Sequence, residues 1–375
     1  MTASTPASPL KRHRLLAPSA AVLVSPLCLG GMNFGDAWKS ALGECDMTTT
    51  FEILDTFYAA GGNFIDTSNN YQAEQSEAWI GEWLSQQPDR RDEIVIATKY
   101  AEDWKTHSGP SLQQSNYGGN SAKSLHISVQ ASLKKLQTTY IDLLYVHFWD
   151  YTAMVEEVMS SLNVLVTQGK VLYLGICNTP AWVVVKCNAF ARSHGMRGFS
   201  VYQGRWSAAD RDLEREIVPM CMSEGMGIAP WGVLGGGYFK NPEDTDRQPD
   251  GRNLESLSVG RESSISLVLH RIAQSRQVPL TSIALAYIMH KAPYVFPIVG
   301  GRKVSHLKAN ISALGIALSD AEMEEIEGAY DFDIGFPHNL MSGPKPPKNP
   351  GDNLLTQIRG QFDFVEGPRA IKPAL

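Results

Sequence analysis

IVIATKY, residues 94–100, runs through small and β-branched residues straight into a lysine. A short, unbroken apolar run of this kind reads as a strand buried on both faces. NFID (63–66) and IDLLYVH (141–147) are built the same way and end on an aspartate and a histidine. Five more runs share the pattern: LCLG (27–30), VLYLGI (171–176), FSVYQ (199–203), MGIAP (226–230) and VFPIV (295–299). Between them lie amphipathic stretches with helical spacing, at 48–60, 75–87, 121–136, 152–168, 180–194, 211–224, 264–276 and 280–290. Two more, 305–314 and 320–329, follow the eighth strand. Thr179-Pro180 reads as an N-cap followed by proline at the first helical position, and Ser319 with Glu322 as a capping box. Eight strand–helix units predict an α/β fold, a (β/α)8 barrel. The alternative, an open doubly wound sheet, usually carries a phosphate loop, and neither GxGxxG nor GxxxxGK[ST] occurs. A hairpin at about 14–25 is expected to plug the barrel floor. Residues 1–14 read as a flexible tail, 15–330 as the barrel, and the Pro- and Gly-rich 331–375 as a tail or wrapping arm.

Composition narrows the function. Apolar residues make up 43% and charged residues 19% of 375, with net charge −6. That is a soluble globular balance with no broad basic surface for nucleic acid. No apolar stretch approaches the ~20 residues that span a bilayer. The basic KRHR cluster follows a polar start and no signal-type apolar region comes after it. Five widely spaced cysteines without a CxxC argue for a reducing compartment, the cytoplasm, and against a disulfide frame or a metal site.

In such a barrel the C-terminal strand ends converge on one mouth. Three successive strands therefore deliver Asp66, Lys99 and His147 to one place, and the loop TSNNY adds Tyr71. Each has an ordinary reading: a turn cap, a solvated strand end, a packed core histidine, a loop aromatic. Together they suit carbonyl reduction. Hydride addition leaves negative charge on oxygen, which needs a proton. A free phenol near pKa ~10 is a reluctant donor or acceptor, and a nearby ammonium lowers that value. Lys99 can be that ammonium, Asp66 can hold it charged, and His147 can orient the carbonyl oxygen. No side chain donates hydride, so a cofactor is required.

The stretches GGNFIDTSNNYQAEQSEAWIGEWL, IVIATKY, LLYVHFWD, GKVLYLGICNTPAW, FSVYQGRW and APWGVLGGG resemble the aldo-keto reductase family over roughly residues 15–330. The YQGRW, APW–GGG and VGGRK segments resemble its fungal aryl-alcohol dehydrogenase and norsolorinic acid reductase branch, and that likeness reaches GFPH at 335–338. The resemblance implies Asp66, Tyr71, Lys99 and His147 as the catalytic set, with Tyr71 as acid in reduction and base in oxidation. It implies NADP(H) held by Gly31, Met32 and Asp66. Cys177, Asn178 and Gln203 match the positions that meet the nicotinamide amide, with Cys177 where a hydroxyl is usual. Trp231 matches the ring that stacks on the nicotinamide, and Gly232, Leu234 and Gly236 the loop along the pyrophosphate. At the helix start after the eighth strand it implies a 2′-phosphate site with Arg302, Lys303, His306 and Asn310. The chain departs from the family pattern there: Gly300 and Gly301 replace the usual Lys-Ser pair, and His306 the usual arginine.

The loops after the strands carry many rings. Phe34, Trp38, Tyr100, Trp104, Phe148 and Trp149 are expected to line a mouth for a flat aromatic aldehyde, ketone or alcohol, and no arginine clamp is evident. The long polar loop 237–262 reads as a lid over the pyrophosphate or as an insertion. The expected protein is a monomer or homodimer. Two other functions share these residues. One is a redox-sensing regulatory subunit resembling the potassium-channel β type. The other is a lyase using Lys99 as a Schiff base, against which Asp66 argues by keeping the lysine charged.

Overall fold

The structure is a computed structural model that describes residues 8–87, 89–241, 260–347 and 349–373. Eight parallel strands form one sheet: β3 (Cys28–Gly30), β4 (Phe64–Asp66), β5 (Val95–Tyr100), β6 (Ile141–Val146), β7 (Val171–Cys177), β8 (Phe199–Arg205), β9 (Gly227–Trp231) and β10 (Ile298–Val299). The order is β10-β3-β4-β5-β6-β7-β8-β9. The Ile228 N–H donates to the Tyr294 carbonyl (2.9 Å) and the Phe296 N–H to the Ile228 carbonyl (2.8 Å), which joins the two ends into a barrel. Before it comes the predicted hairpin, β1 (Arg14–Ala17) and β2 (Ala20–Val24).

Strand side chains alternate, so every second residue faces the barrel axis. Leu16, Ala17, Ala20 and Val24 of the hairpin pack with Phe64, Val95, Leu143, Val201 and Phe296 as an apolar floor. One layer up, Ala97, Tyr145 and Ala229 continue the same cluster. Gly175 makes room for the Tyr145 ring, since a Cβ there would lie 2.4 Å from it. The next inward positions are Asp66, Lys99, His147 and Gln203. The reactive layer is thus two residues beyond the apolar one on each strand, which is why it sits at the mouth.

Helices cover the outside. The capping box at Ser319 and Glu322 is present. Two expected starts differ. The helix after β7 runs Ala181–Ser193 with Pro180 at its cap, because the Thr179 hydroxyl donates back to the Cys177 carbonyl (2.7 Å). The stretch 211–224 is divided into a turn, Asp212–Glu214, and a helix, Ile217–Glu224. Glu214 is drawn into a buried cluster with Arg211 (2.9 Å), Lys291 (3.0 Å) and the Trp206 indole N–H (3.1 Å), and this interrupts the helix. The segment from 331 packs along the same helices: the Phe332 ring lies against Arg211 and Arg215, His338 meets Glu216 (2.7 Å), and Lys372 returns to the Leu318 carbonyl (3.1 Å). Most of the expected lid falls on 242–259, outside the described residues. No described helix is long and apolar enough to cross a membrane, and the described residues hold no cluster of metal-ligating side chains.

Helix Gln75–Ser85 packs end-on against the close of helix Ala122–Lys135 through Gly81, where a Cβ would lie 2.1 Å from the Lys135 carbonyl oxygen. The neighbour is backbone and cannot swing away. Gly81→Ala is expected to lower stability by ~1–3 kcal/mol, the usual cost of overpacking, read from the urea midpoint. An unchanged midpoint would show that the two helices are not held this close.

Candidate active site

Lys99 is fully buried, and its ammonium makes three contacts: the Asp66 carboxylate at 2.5 Å, the Thr67 carbonyl at 2.7 Å and the Tyr71 hydroxyl at 3.2 Å. The second Asp66 oxygen accepts from the Gln203 amide at 3.0 Å. Burial works against the Lys99 charge, but Asp66 and Tyr71 outweigh it and hold the ammonium above its ordinary value. Burial raises the Asp66 carboxyl, and the charge of Lys99 and its hydrogen bond pull the other way. Burial also pushes the Tyr71 phenol up to about 12, and Lys99 limits that rise. His147 stands across from Tyr71, ring to ring at 6.0 Å and nearly perpendicular. Burial, then the Lys99 ammonium, push its imidazole well below the ordinary value. Phe148 stacks on it at 4.7 Å. The sequence-predicted Asp66, Tyr71, Lys99 and His147 are therefore gathered in one cluster.

The loop carrying Tyr71 is tied from behind. Thr67 bonds Ser76 (2.7 Å), Asn69 donates to Ser128 (2.5 Å), and Lys135 reaches the Asn69 carbonyl (3.0 Å) and the buried Glu77 (2.8 Å). Directly after Tyr71, three residues in a row have left-handed backbones: Gln72 (φ 54°), Ala73 (50°) and Glu74 (80°). Each costs on the order of 1 kcal/mol for a residue with a Cβ. The turn places the buried Gln72 amide against the loop after β3, where it donates to the Met32 carbonyl (3.0 Å) and accepts from the Trp38 N–H (2.7 Å). Gln75 accepts from the Asp36 and Ala37 N–H groups, both at 3.0 Å. Gly35 must lack a side chain here, because a Cβ would meet Gln72 at 2.3 Å.

The rim holds the expected cofactor positions. Gly31 sits over β4 with its N–H on the Asp66 carbonyl (2.7 Å), and Met32 is beside it. Cys177 ends β7 as a buried thiol, kept neutral by burial. Asn178 follows in a left-handed backbone (φ 46°), donates to the His147 carbonyl (3.4 Å) and accepts from the Trp231 indole N–H (3.3 Å). Gly232 and Gly235, Gly236 and Gly237 all have positive φ, so beyond Leu234 the chain makes a tight glycine turn. Gly300 and Gly301 lie against Asn33 and His306, and Arg302 crosses to the loop after β3, where a Cβ on Gly43 would lie 2.0 Å from its guanidinium. Lys303 caps helix Val304–Ser312 and is exposed, as is His306, while Asn310 is buried.

The six expected substrate aromatics divide. Trp38 meets Tyr71 edge to face at 6.2 Å, Phe148 is exposed at the mouth, and Trp149 is half-buried against the core. Phe34 and Tyr100 are core residues, 0% and 1% exposed, and do not line the mouth. Tyr100 follows inward-facing Lys99 and so faces the helices. Trp104 packs on Tyr117 (5.5 Å) and lines a separate cavity of about 600 Å³ with Trp79, Glu74 and Lys135, none of them catalytic candidates. The cavity at the mouth, about 460 Å³, is bounded by Phe148, Asn178, Tyr202, Leu213 and Trp231, and by Arg205 with Asp210 3.6 Å away. The mouth therefore contains an arginine, with Asp210 beside it.

The model of the aldo/keto reductase family matches residues 26–331. The chain belongs to this family. It is 55% identical over 374 residues to an aryl-alcohol dehydrogenase of Pestalotiopsis microspora, covering 100% of this chain and 96% of that one. It is 58% identical over 340 residues to norsolorinic acid reductase A of Aspergillus parasiticus, covering 91% and 86%. An aldo-keto reductase of Emericella nidulans is 48% identical over 375 residues, covering 98% and 94%. This aldo-keto reductase barrel is thus an oxidoreductase, of a family that works with nicotinamide cofactors.

Three site residues lay outside the sequence reading or carried another role in it. Gln203 was expected on the nicotinamide and is bonded to Asp66. Arg205 was signalled only by period two from Gln203. Glu102 contacts His147 and had no signal in the sequence. In this aldo-keto reductase, Asp66→Asn leaves an ammonium buried without its counter-charge. It is expected to cost ~3–5 kcal/mol of stability, read by urea unfolding, and Asp66→Asn with Lys99→Met less than the single change. A loss within the surface-pair range of ~0–1 kcal/mol would mean that the pair is not buried as described.

Proposed function

We propose that this protein is an NADPH-dependent reductase of aromatic aldehydes or ketones, with Tyr71 as the general acid. The observation that carries the reading is the Lys99 ammonium at 2.5 Å from Asp66 and 3.2 Å from the Tyr71 hydroxyl, beneath a mouth flanked by rings. The relatives named as aryl-alcohol dehydrogenase and norsolorinic acid reductase support an aromatic substrate.

The chain suits the cofactor. A turn of glycines with positive φ lets backbone N–H groups approach phosphate. Trp231, fixed by Asn178, offers a ring at the mouth. Arg302 at a helix start suits an adenosine 2′-phosphate, which a planar guanidinium can grip with two hydrogen bonds. Bound in this cleft, a reduced nicotinamide supplies the hydride that no side chain can.

The side chains do the rest. Tyr71, with its phenol at about 12, is protonated at neutral pH and can give its proton to a forming alkoxide, a much stronger base. Lys99 stabilises the phenolate left behind, and Asp66 and Gln203 keep Lys99 in place. His147 faces the same point and orients the oxygen. Phe148, Trp38 and Trp231 exclude water and offer flat faces to an aryl group. Alcohol oxidation needs the phenolate first, so it should rise with pH. The unpaired buried thiols suit a reducing cytoplasm.

Loss of reduced-nicotinamide absorbance with benzaldehydes, aliphatic aldehydes and anthraquinone ketones tests the reading. Turnover by the purified chain alone also separates an enzyme from a redox-sensing subunit. Tyr71→Phe is expected to bind NADPH normally and to turn over ~10²–10⁴-fold more slowly. Lys99→Met should move the alkaline limb of alcohol oxidation upward, because it removes the charge that limits the phenol's pKa. Near-normal turnover by Tyr71→Phe would sink the mechanism. Arg302→Ala should weaken NADPH binding by ~1.5–3 kcal/mol and spare NADH, and equal weakening of both would remove Arg302 from the phosphate.

A further inference from the structure

His147 can steady a carbonyl oxygen only through a hydrogen on Nε2, because that oxygen accepts and never donates. The surroundings of its other nitrogen, Nδ1, decide whether that hydrogen is there. Two groups meet Nδ1: the Glu102 carboxylate at 3.2 Å and the Ser68 hydroxyl at 3.3 Å. Ser68 has one proton, and at 2.8 Å it donates to the Asn70 side-chain oxygen. Toward His147 both neighbours are therefore acceptors. A neutral imidazole between two acceptors keeps its proton on Nδ1, which leaves Nε2 bare toward the mouth.

We infer that Glu102 is a positioning residue that sets the tautomer of His147, so that His147 donates to a carbonyl oxygen only when the Glu102–His147 pair holds a second proton. With two protons the pair presents Nε2–H, either as imidazolium against carboxylate or as neutral imidazole accepting from a carboxylic acid. With one proton it presents a bare Nε2, which can accept from an alcohol hydroxyl but cannot hold a carbonyl.

The fold builds this contact deliberately. Ala101, just before Glu102, has a left-handed backbone (φ 95°), a strained conformation that re-aims the chain after β5. Its carbonyl is pinned by the Gly119 N–H (2.7 Å). Glu102 is 41% exposed on its side chain, so protons can reach it from solvent, while His147 is buried. The other titratable groups around the ring are fixed. Lys99 on β5 stays charged on Asp66 of β4, Tyr71 is a protonated phenol, and Cys177 on β7 is a neutral thiol. Burial, then Lys99, disfavour the imidazolium, and burial pushes the Glu102 carboxyl up against the pull of Lys99 and an Asn70 hydrogen bond.

The inference rests on the carbonyl-reductase reading only for its consequence, and the tautomer can be observed without turnover. In the full-length protein labelled with ¹⁵N-histidine, the His147 signal is identified among nine histidines by its loss in His147→Gln. Its two nitrogen shifts report the tautomer across pH. The wild type should show Nδ1–H at alkaline pH and a shift on acidification. Glu102→Ala and Glu102→Gln should lose that titration and gain Nε2–H population. With NADPH saturating, kcat/KM for carbonyl reduction in the wild type should fall about tenfold per pH unit along the same titration, and both variants should lose this limb. An Nε2–H signal at every pH in the wild type would overturn the inference. So would shifts and rate profiles in the variants that superimpose on the wild type. If the tautomer responds as expected but no carbonyl is reduced, the proposed function fails and the assignment of Glu102 stands.

Discussion

A lysine with no exposed surface, closed on one carboxylate, is the constraint around which this barrel is arranged. An ammonium in an apolar tube is tolerable only if its charge is matched and its three hydrogens are taken. Asp66, the Thr67 carbonyl and Tyr71 take them, and each comes from β4 or the loop after it. The position of Tyr71 is therefore a requirement of Lys99. Gln203 closes the second Asp66 oxygen from the far side of the barrel. Four strand ends or loops are thus registered to one another by a single buried charge.

The same tube has two chemistries separated by one layer of side chains. The hairpin and the inward residues at the strand starts form a dry floor that fixes the strands. Tyr145, Ala97 and Ala229 end it. Above them stand Asp66, Lys99, His147 and Gln203, with Trp231 beside them. The apolar layers keep the dielectric low beneath the lysine, which strengthens each charge-assisted contact above. They also push the Tyr71 phenol toward its neutral form.

Period and position made much of this legible in the sequence. All eight strands follow from short apolar runs, and three of these runs end on Asp66, Lys99 and His147, which with Tyr71 of the next loop make the cluster. Parity would have corrected one aromatic assignment and supplied one residue of the mouth. Tyr100 follows an inward lysine and must face out, and Arg205 lies two beyond inward Gln203 and must face the mouth. Phe34, Trp104 and Glu102 were not legible, because their directions depend on loop backbones such as left-handed Ala101. The Thr179 cap failed for a local reason: its hydroxyl turns back to donate to the Cys177 carbonyl instead of accepting from the N–H groups of the helix start. Glu214 broke an expected helix because it joins Arg211 and Trp206 to Lys291, which is distant in the chain and could not be paired by pattern.

The left-handed turn at Gln72, Ala73 and Glu74 makes the two sides of the mouth mechanically one piece. Gln72 grips Met32 and Trp38 by their backbones, and Gly35 leaves it the space to do so. Trp38 stands at the entrance, and Tyr71, one residue before the turn, carries the hydroxyl beside Lys99. A change that resizes the entrance by shifting the first loop must therefore also displace that hydroxyl. The shape of the entrance and the placing of the phenol are inherited together in this chain. The opposite wall, at Phe148, Arg205 and Leu213, belongs to other strands, and Phe148 meets Tyr71 through the His147 ring.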